Sequence, residues 1–134
     1  MTPEQMVGYA LNQTSALTAI VSTRIYSGNR PAASIAPCVN YFPLPGGKKR
    51  YGFERVTYSF NCRAQTEAQA LQIMRIVDNL FNGSSGTGIY GDLNSFEISR
   101  ASEVQMHGAI FEPADNLYNA PVDILFIYPS SSIS

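Results

Sequence analysis

The sequence predicts an α+β fold, with a small mixed or antiparallel sheet of about four to five strands packed against two main helices. Over residues 56–64 apolar side chains alternate with polar ones, which is the period of a strand with one buried face. Directly afterwards Thr66 and Gln69 have the spacing of a capping box, and apolar residues recur at helical intervals over 67–81. A strand followed almost at once by a capped helix therefore forms the predicted scaffold.

The N-terminal region is predicted to be helical. Pro3 suits the first position of a helix, and apolar residues then recur at helical spacing as far as Leu11. The polar run 12–15 breaks or bends this helix, and residues 17–21 give a further short helical segment. A short strand is expected to begin over 24–26.

The rest of the chain is predicted to supply strands and long connections. Residues 38–42 are β-like, and the run 43–52, which contains Pro-Gly-Gly, predicts a hairpin with a long tip before the strand 53–64. A less regular pattern suggests a strand over 95–106, and a strong alternation predicts one over 118–128. The connections 27–37, 83–94 and 107–117 are also long, and such loops often bind partners.

The 134 residues are expected to form one domain, with 129–134 as a frayed tail. A hydrophobic fraction of 45% and a charged fraction of 14% are typical of a globular protein. With a net charge of −1, the composition lacks a general nucleic-acid footprint. Neither a membrane span nor a signal peptide is expected, so Cys38 and Cys62 are predicted to be reduced thiols in the core.

No pattern indicates catalysis, a metal or a cofactor. His107 is the only histidine and lies in a predicted loop, and the two cysteines lack metal-ligand spacing. Residues 86–91 match the letters G-x-G-x-x-G, but a helix precedes them and a strand follows, which is the reverse of a dinucleotide site. The chain is therefore predicted not to be an enzyme.

The basic run 48–50 leaves two interpretations open. It is either an electropositive tip that touches phosphate or an acidic partner, or a solvated hairpin end whose charges deter pairing between sheet edges.

Several segments together resemble the tail-completion proteins of long-tailed phages. The matching segments are Leu-Thr-Ala-Ile-Val at 17–21, Arg-Ile-Tyr at 24–26, Pro-Cys-Val-Asn-Tyr at 37–41, the strand 56–62, the helix start 66–68 and the final strand 122–128. The resemblance covers most of the chain, but the 83–92 loop and the 44–51 tip show no family pattern.

This resemblance implies a tail terminator, a neck protein that forms a ring, usually a hexamer. Such a ring caps the tail tube, stops its polymerisation and joins tail to head, so its expected partners are further copies of itself, the tail tube protein and the head-completion or connector protein. The expected location is the virion, with assembly in the host cytoplasm. Two alternatives stay open: another head–tail connector, or a small non-viral protein-binding module.

Candidate contact residues follow from the hairpin tip, the wet face of the central strand and the glycine-rich loop. They are predicted to touch neighbouring proteins or DNA in the lumen of the ring: Lys48, Lys49, Arg50, Tyr51, Arg55, Arg63, Tyr90 and Asp92.

Overall fold

The structure is a computed structural model that describes residues 3–28, 36–45, 48–50, 52–81, 91–93, 96–98, 100–106 and 108–129. Its helices are α1 (Pro3–Asn12), α2 (Ser15–Val21) and α3 (Glu67–Phe81). Its strands are β1 (Ile25–Ser27), β2 (Cys38–Pro43), β3 (Lys48–Arg50), β4 (Phe53–Ala64), β5 (Gly91–Leu93), β6 (Phe96–Ile98), β7 (Arg100–Met106), β8 (Ile110–Glu112) and β9 (Leu117–Pro129).

One mixed sheet organises the chain. Its path of five strands runs β1-β2-β4-β9-β7, with β3 added to β4 and β8 added to β9. The β1–β2 pair is parallel and the other pairs of this sheet are antiparallel. The strands β5 and β6 form a separate two-stranded hairpin. The predicted α+β class is therefore confirmed.

The core lies between the helices and one face of the sheet. Side chains along the long strands β4 and β9 point alternately to the two faces of the sheet, and Tyr58, Phe60 and Cys62 are buried on the helix side of β4. Phe81 of α3 stacks on Phe60, with ring centroids 5.3 Å apart, and meets Phe126 edge-on at 5.2 Å. These three rings join α3 to the two central strands, which makes them the centre of the core.

The local signals for helix boundaries are confirmed. The backbone N–H of Gln69 donates to Oγ1 of Thr66 at 3.2 Å, so Thr66 caps the start of α3 with one of the two hydrogen bonds of the predicted capping box. The helical N-terminal region is broken after Asn12, and α2 starts at Ser15. Arg24 then fixes the end of α2 to the start of β2, because its Nε donates to the carbonyl of Pro37 at 2.8 Å.

Four predicted segments were partly wrong: three predicted loops contain short strands, and one predicted strand is divided into two. The predicted loops 43–52, 83–94 and 107–117 contain β3, β5 and β8, each of three residues. The strand expected over 95–106 is split into β6 and β7. Three residues are too few to show an alternation, and β3 and β8 form because β4 and β9 supply their hydrogen-bonding partners.

Both cysteines are fully buried free thiols, as the sequence predicted. In the register of β2 and β4, Cys38 pairs with Arg63 whereas Cys62 pairs with Val39. Because neighbouring residues of a strand point to opposite faces, the two thiols lie on opposite sides of the sheet. Only Cys62 faces the helices.

Stability is expected to fall at alkaline pH. Burial raises the pKa of the Cys62 thiol and of the Tyr58 phenol, so the unfolded chain loses these protons first as the pH rises. The stabilisation is complete below the unfolded pKa values of about 8.5 for Cys and about 10 for Tyr, and it declines above them. Urea unfolding should show a lower midpoint at about pH 10 than at about pH 7, with a smaller drop in Tyr58→Phe. Equal midpoints at the two pH values would contradict this expectation.

Candidate interaction surfaces

The face of the sheet opposite the helices, called here the outer face, is polar along its central strand. It is defined by β4 positions 55, 57, 59, 61 and 63 and by their register partners on the neighbouring strands. Arg55 is exposed at one end, Thr57 is half-buried, and Ser59 is only 8% exposed. This is the wet face that the sequence predicted, although its middle is more buried than the alternation alone suggested.

An ion pair closes the other end of the outer face. Nε of Arg63 lies 2.9 Å from Oε1 of Glu112, with side-chain exposures of 15% and 29%. Nη1 of Arg63 also donates to Oδ1 of Asn40, whose Nδ2 donates to the carbonyl of Gly28 at 3.0 Å. Arg63 was predicted as a contact residue. In the structure its charge is paired within the subunit, and it links β4 to β2 and β8.

A side-chain amide pair continues this polar end. Nδ2 of Asn119 donates to Oδ1 of Asn61 at 3.0 Å, which joins β9 to β4 on the outer face. Asn119 is 8% exposed, so the bond is shielded from competing water. The polar residues at this end therefore hold strands together.

Arg55 lies in a different environment from Arg63. The two residues are separated by eight positions of one strand, or about 27 Å at ~3.4 Å per residue. The hairpin formed by β3 and β4 places Lys48 opposite Arg55, Lys49 opposite Glu54 and Arg50 opposite Phe53. The predicted basic positions therefore adjoin Arg55 and not Arg63.

The remaining predicted contact residues are not brought to this surface by the described part of the chain. Asp92 lies in β5, where its register partner is Glu97 in the separate hairpin. Tyr51 and Tyr90 lie outside the described residues. His107 and positions 86–90 of the glycine-rich run, which were not predicted on this face, also lie outside them.

The edge strand β8 carries two exposed large apolar residues that the sequence did not single out. Ile110 is 55% exposed and Phe111 is 45% exposed. The ring of Phe111 packs against the ring of Tyr118, with centroids 5.2 Å apart, and this contact holds the Phe111 side chain in place. Neighbouring strand residues point to opposite faces, so apolar surface is presented on both sides of this edge. The sequence signal that could have identified this surface is the pair of adjacent apolar residues, Ile110 and Phe111, within the predicted loop 107–117.

A second apolar surface lies on the helices. An open groove of about 320 Å³ runs between the start of α2 and the second half of α3. Its lining residues are Thr14, Ala16, Ile76, Asn79 and Leu80. The groove is separate in sequence and in secondary structure from the β8 edge.

Neither a metal centre nor a membrane span is found in the part of the chain that the structure describes. No group of three or more His, Cys, Asp or Glu side chains there is placed to hold a metal ion. No helix there has the length and hydropathy needed to cross a membrane.

The described residues form an α+β fold in which one large mixed sheet carries a helical layer on one side and a two-stranded hairpin stands apart from that sheet. No protein-family model and no curated protein matches the sequence. Among solved structures, the chain is similar to one from the "virion of native gene transfer agent (GTA) particle", with a TM-score of 0.66 and 12% sequence identity. The match covers 95% of this chain and 94% of that one. At this identity the comparison shows a shared fold.

Proposed function

We propose that this chain is a structural protein of a phage-like virion and that it acts there as the tail terminator. The observation that carries the proposal is the end-to-end likeness in fold to a chain of a gene transfer agent virion. A match over nearly the whole of both chains supports a shared assembly role better than a match to one motif would. The resemblance of the sequence to tail-completion proteins independently supports the more specific role.

In this role the chain forms a ring, with six copies as the expected number, at the head-proximal end of the tail. The ring caps the tail tube, stops its polymerisation and contacts the head-completion or connector protein. The protein is located in the virion neck and is assembled in the host cytoplasm. Its work is binding and positioning, without catalysis.

Two unlike apolar surfaces support a ring. A closed ring of identical subunits uses a heterologous interface, in which two different patches of one subunit meet on neighbouring copies. The β8 edge offers a projection, formed by Ile110 and Phe111, and the groove beside Ile76 and Leu80 offers an apolar recess. Burying exposed apolar side chains contributes about 25 cal/mol per Å². We propose that the β8 edge of one copy packs into the helical groove of the next.

Charge placed on the β8 edge is expected to block ring formation. The double variant Ile110→Glu/Phe111→Glu places a carboxylate on each side of the β8 edge, so whichever side enters the apolar recess would have to bury a charge, which is costly. Both side chains are substantially exposed, so the subunit should still fold. Light scattering after size-exclusion chromatography should show rings for the wild type and monomers for the variant.

Tyr9→Glu provides the matched control. Tyr9 is a third exposed large apolar residue, at 37%, but it lies on α1. This variant should assemble as the wild type does. Rings that survive the double variant, or that are lost equally with Tyr9→Glu, would show that the β8 edge is not the interface.

The tail-terminator role itself is tested by deleting the coding sequence from the particle that carries it. Tails of unregulated length that do not join heads are expected, and expression of the wild-type chain should restore tails of normal length. Tails of normal length that remain detached would favour the alternative connector role. Normal particles would contradict any role in the neck.

A further inference from the structure

Three basic positions fall in one row across the outer face. The register places Lys48 opposite Arg55, Arg55 opposite Ile127, and Ile127 opposite Arg100. Residues that pair directly across strands belong to the same face of a sheet. The row therefore crosses β3, β4, β9 and β7, and it spans about 14 Å at the usual strand spacing of ~4.8 Å. Arg50, two positions from Lys48, occupies the next row of the same face.

Basic residues are concentrated on the outer face of the sheet. Five of the nine Lys and Arg residues occupy outer-face positions, although the net charge of the chain is −1. Those five positions are Lys48, Arg50, Arg55, Arg63 and Arg100. Arg63 lies at the other end of the face, where it is paired with Glu112, and the other four positions lie together at one end.

Within the large sheet, the carboxylates that strand register assigns to the outer face lie away from this basic end, whereas Glu97, three positions before Arg100, belongs to the separate hairpin. Within the described part of the sheet, the nearest outer-face carboxylate in strand register is Asp123, four residues along β9 from Ile127, or about 13 Å. That separation exceeds the Debye length of ~8 Å at physiological salt, so screening weakens compensation by Asp123. Glu54 and Glu103 pair with Tyr128 and Ile124, both of which are buried on the helix side, so these acids belong to the opposite face.

We infer that the row formed by Lys48, Arg55 and Arg100, called here the basic row, binds the phosphate backbone of nucleic acid. Double-stranded DNA carries about one charge per 1.7 Å of its axis, so a basic row about 14 Å long meets several phosphates at once. Thr57 and Ser102 lie in the adjacent row, and hydroxyl groups are common donors to phosphate oxygens. The expected binding is independent of sequence, because phosphate contacts carry no base information.

An acidic protein is the competing partner, and charge density favours nucleic acid over it. Carboxylates on a protein surface are spaced irregularly and are interspersed with cations, whereas phosphates form a continuous line. Three cations aligned on β3, β4 and β7 match this continuous line. This inference rests on the proposed function, because a neck ring is where DNA would pass and so supplies the DNA that the row would bind.

The hairpin offers a matched pair of variants. Lys48→Gln removes a charge from the basic row, whereas Lys49→Gln removes the same charge from the adjacent residue, whose register partner Glu54 lies on the opposite face. Arg55→Gln and Arg100→Gln complete the set. The probe is a short fluorescein-labelled DNA duplex, and the readout is fluorescence anisotropy over a range of salt concentrations.

Each basic-row variant should weaken binding and reduce the slope of log Kd against log salt by about 1. Lys49→Gln should leave both quantities unchanged, and polyglutamate should compete poorly. The inference is overturned if the wild type does not bind the duplex, if Lys49→Gln weakens binding as much as Lys48→Gln, or if polyglutamate competes as well as unlabelled DNA at equal charge.

Light scattering on the same samples separates this inference from the ring. Rings that do not bind DNA would overturn the inference and leave the proposed assembly intact. A monomer that binds DNA through the basic row, with the expected variant pattern, would overturn the ring and support the inference.

Discussion

Replacing Phe81 by alanine is expected to lower the free energy of unfolding by about 3–5 kcal/mol. Phe81 is fully buried at the end of α3, where its ring stacks on Phe60 and meets Phe126 edge-on. Removing the ring loses its transfer free energy and leaves a cavity between the helix and both central strands. The variant would therefore lose a large share of the 5–15 kcal/mol that is typical of native proteins.

Urea denaturation followed by circular dichroism measures this loss. Leu80→Ala is the matched control, because Leu80 is adjacent in sequence but only half-buried at the helical groove. Its cost should be clearly smaller. Equal destabilisation by the two variants would show that Phe81 does not occupy the centre of the core.

Gly8→Ala is expected to destabilise the protein by about 1–3 kcal/mol, even though alanine favours helices. A Cβ added at Gly8 in α1 would lie 2.6 Å from the hydroxyl oxygen of Tyr41. Tyr41 is 5% exposed and packs against Tyr58 and Phe60, so its ring has little room to retreat. The clash should therefore outweigh the gain in helix propensity.

The effect of Gly8→Ala on stability should change sign when Tyr41 is first replaced by phenylalanine. Removing the hydroxyl leaves the ring carbon Cζ as the nearest atom outside α1 to the added Cβ. Their separation of 3.7 Å is an ordinary van der Waals contact. Gly8→Ala in the Tyr41→Phe background should then stabilise α1 by up to about 1 kcal/mol. A double-mutant cycle measures the coupling, and equal destabilisation in both backgrounds would contradict the close approach of α1 to Tyr41.

The strand β4 and the helix α3 could be predicted with their boundaries, because their signals are local. Alternation over 56–64 and the capping box at Thr66 do not depend on distant residues. The short strands β3 and β8 could not be predicted, because three residues carry no period and their pairing depends on β4 and β9. The additional strands are therefore a consequence of tertiary structure.

The candidate surfaces were only partly predictable for the same reason. The sequence marked Lys48 and Lys49 as one basic cluster, but the register assigns them to opposite faces. Arg55 and Arg63 were both predicted on the wet face, and the sequence did not indicate that Arg63 is held by an ion pair with a residue 49 positions away. Arg100 was not predicted at all, because its alignment with Arg55 passes through Ile127 of an intervening strand.

The proposed role of this chain, as a ring that caps a tail tube, is tested by electron microscopy of the purified protein mixed with tail tubes from the same particle. We expect rings with a central hole bound at one end of each tube, and tubes that stop elongating once they are capped. A protein that stays monomeric and binds neither end of the tube, while the tubes continue to elongate, would contradict it.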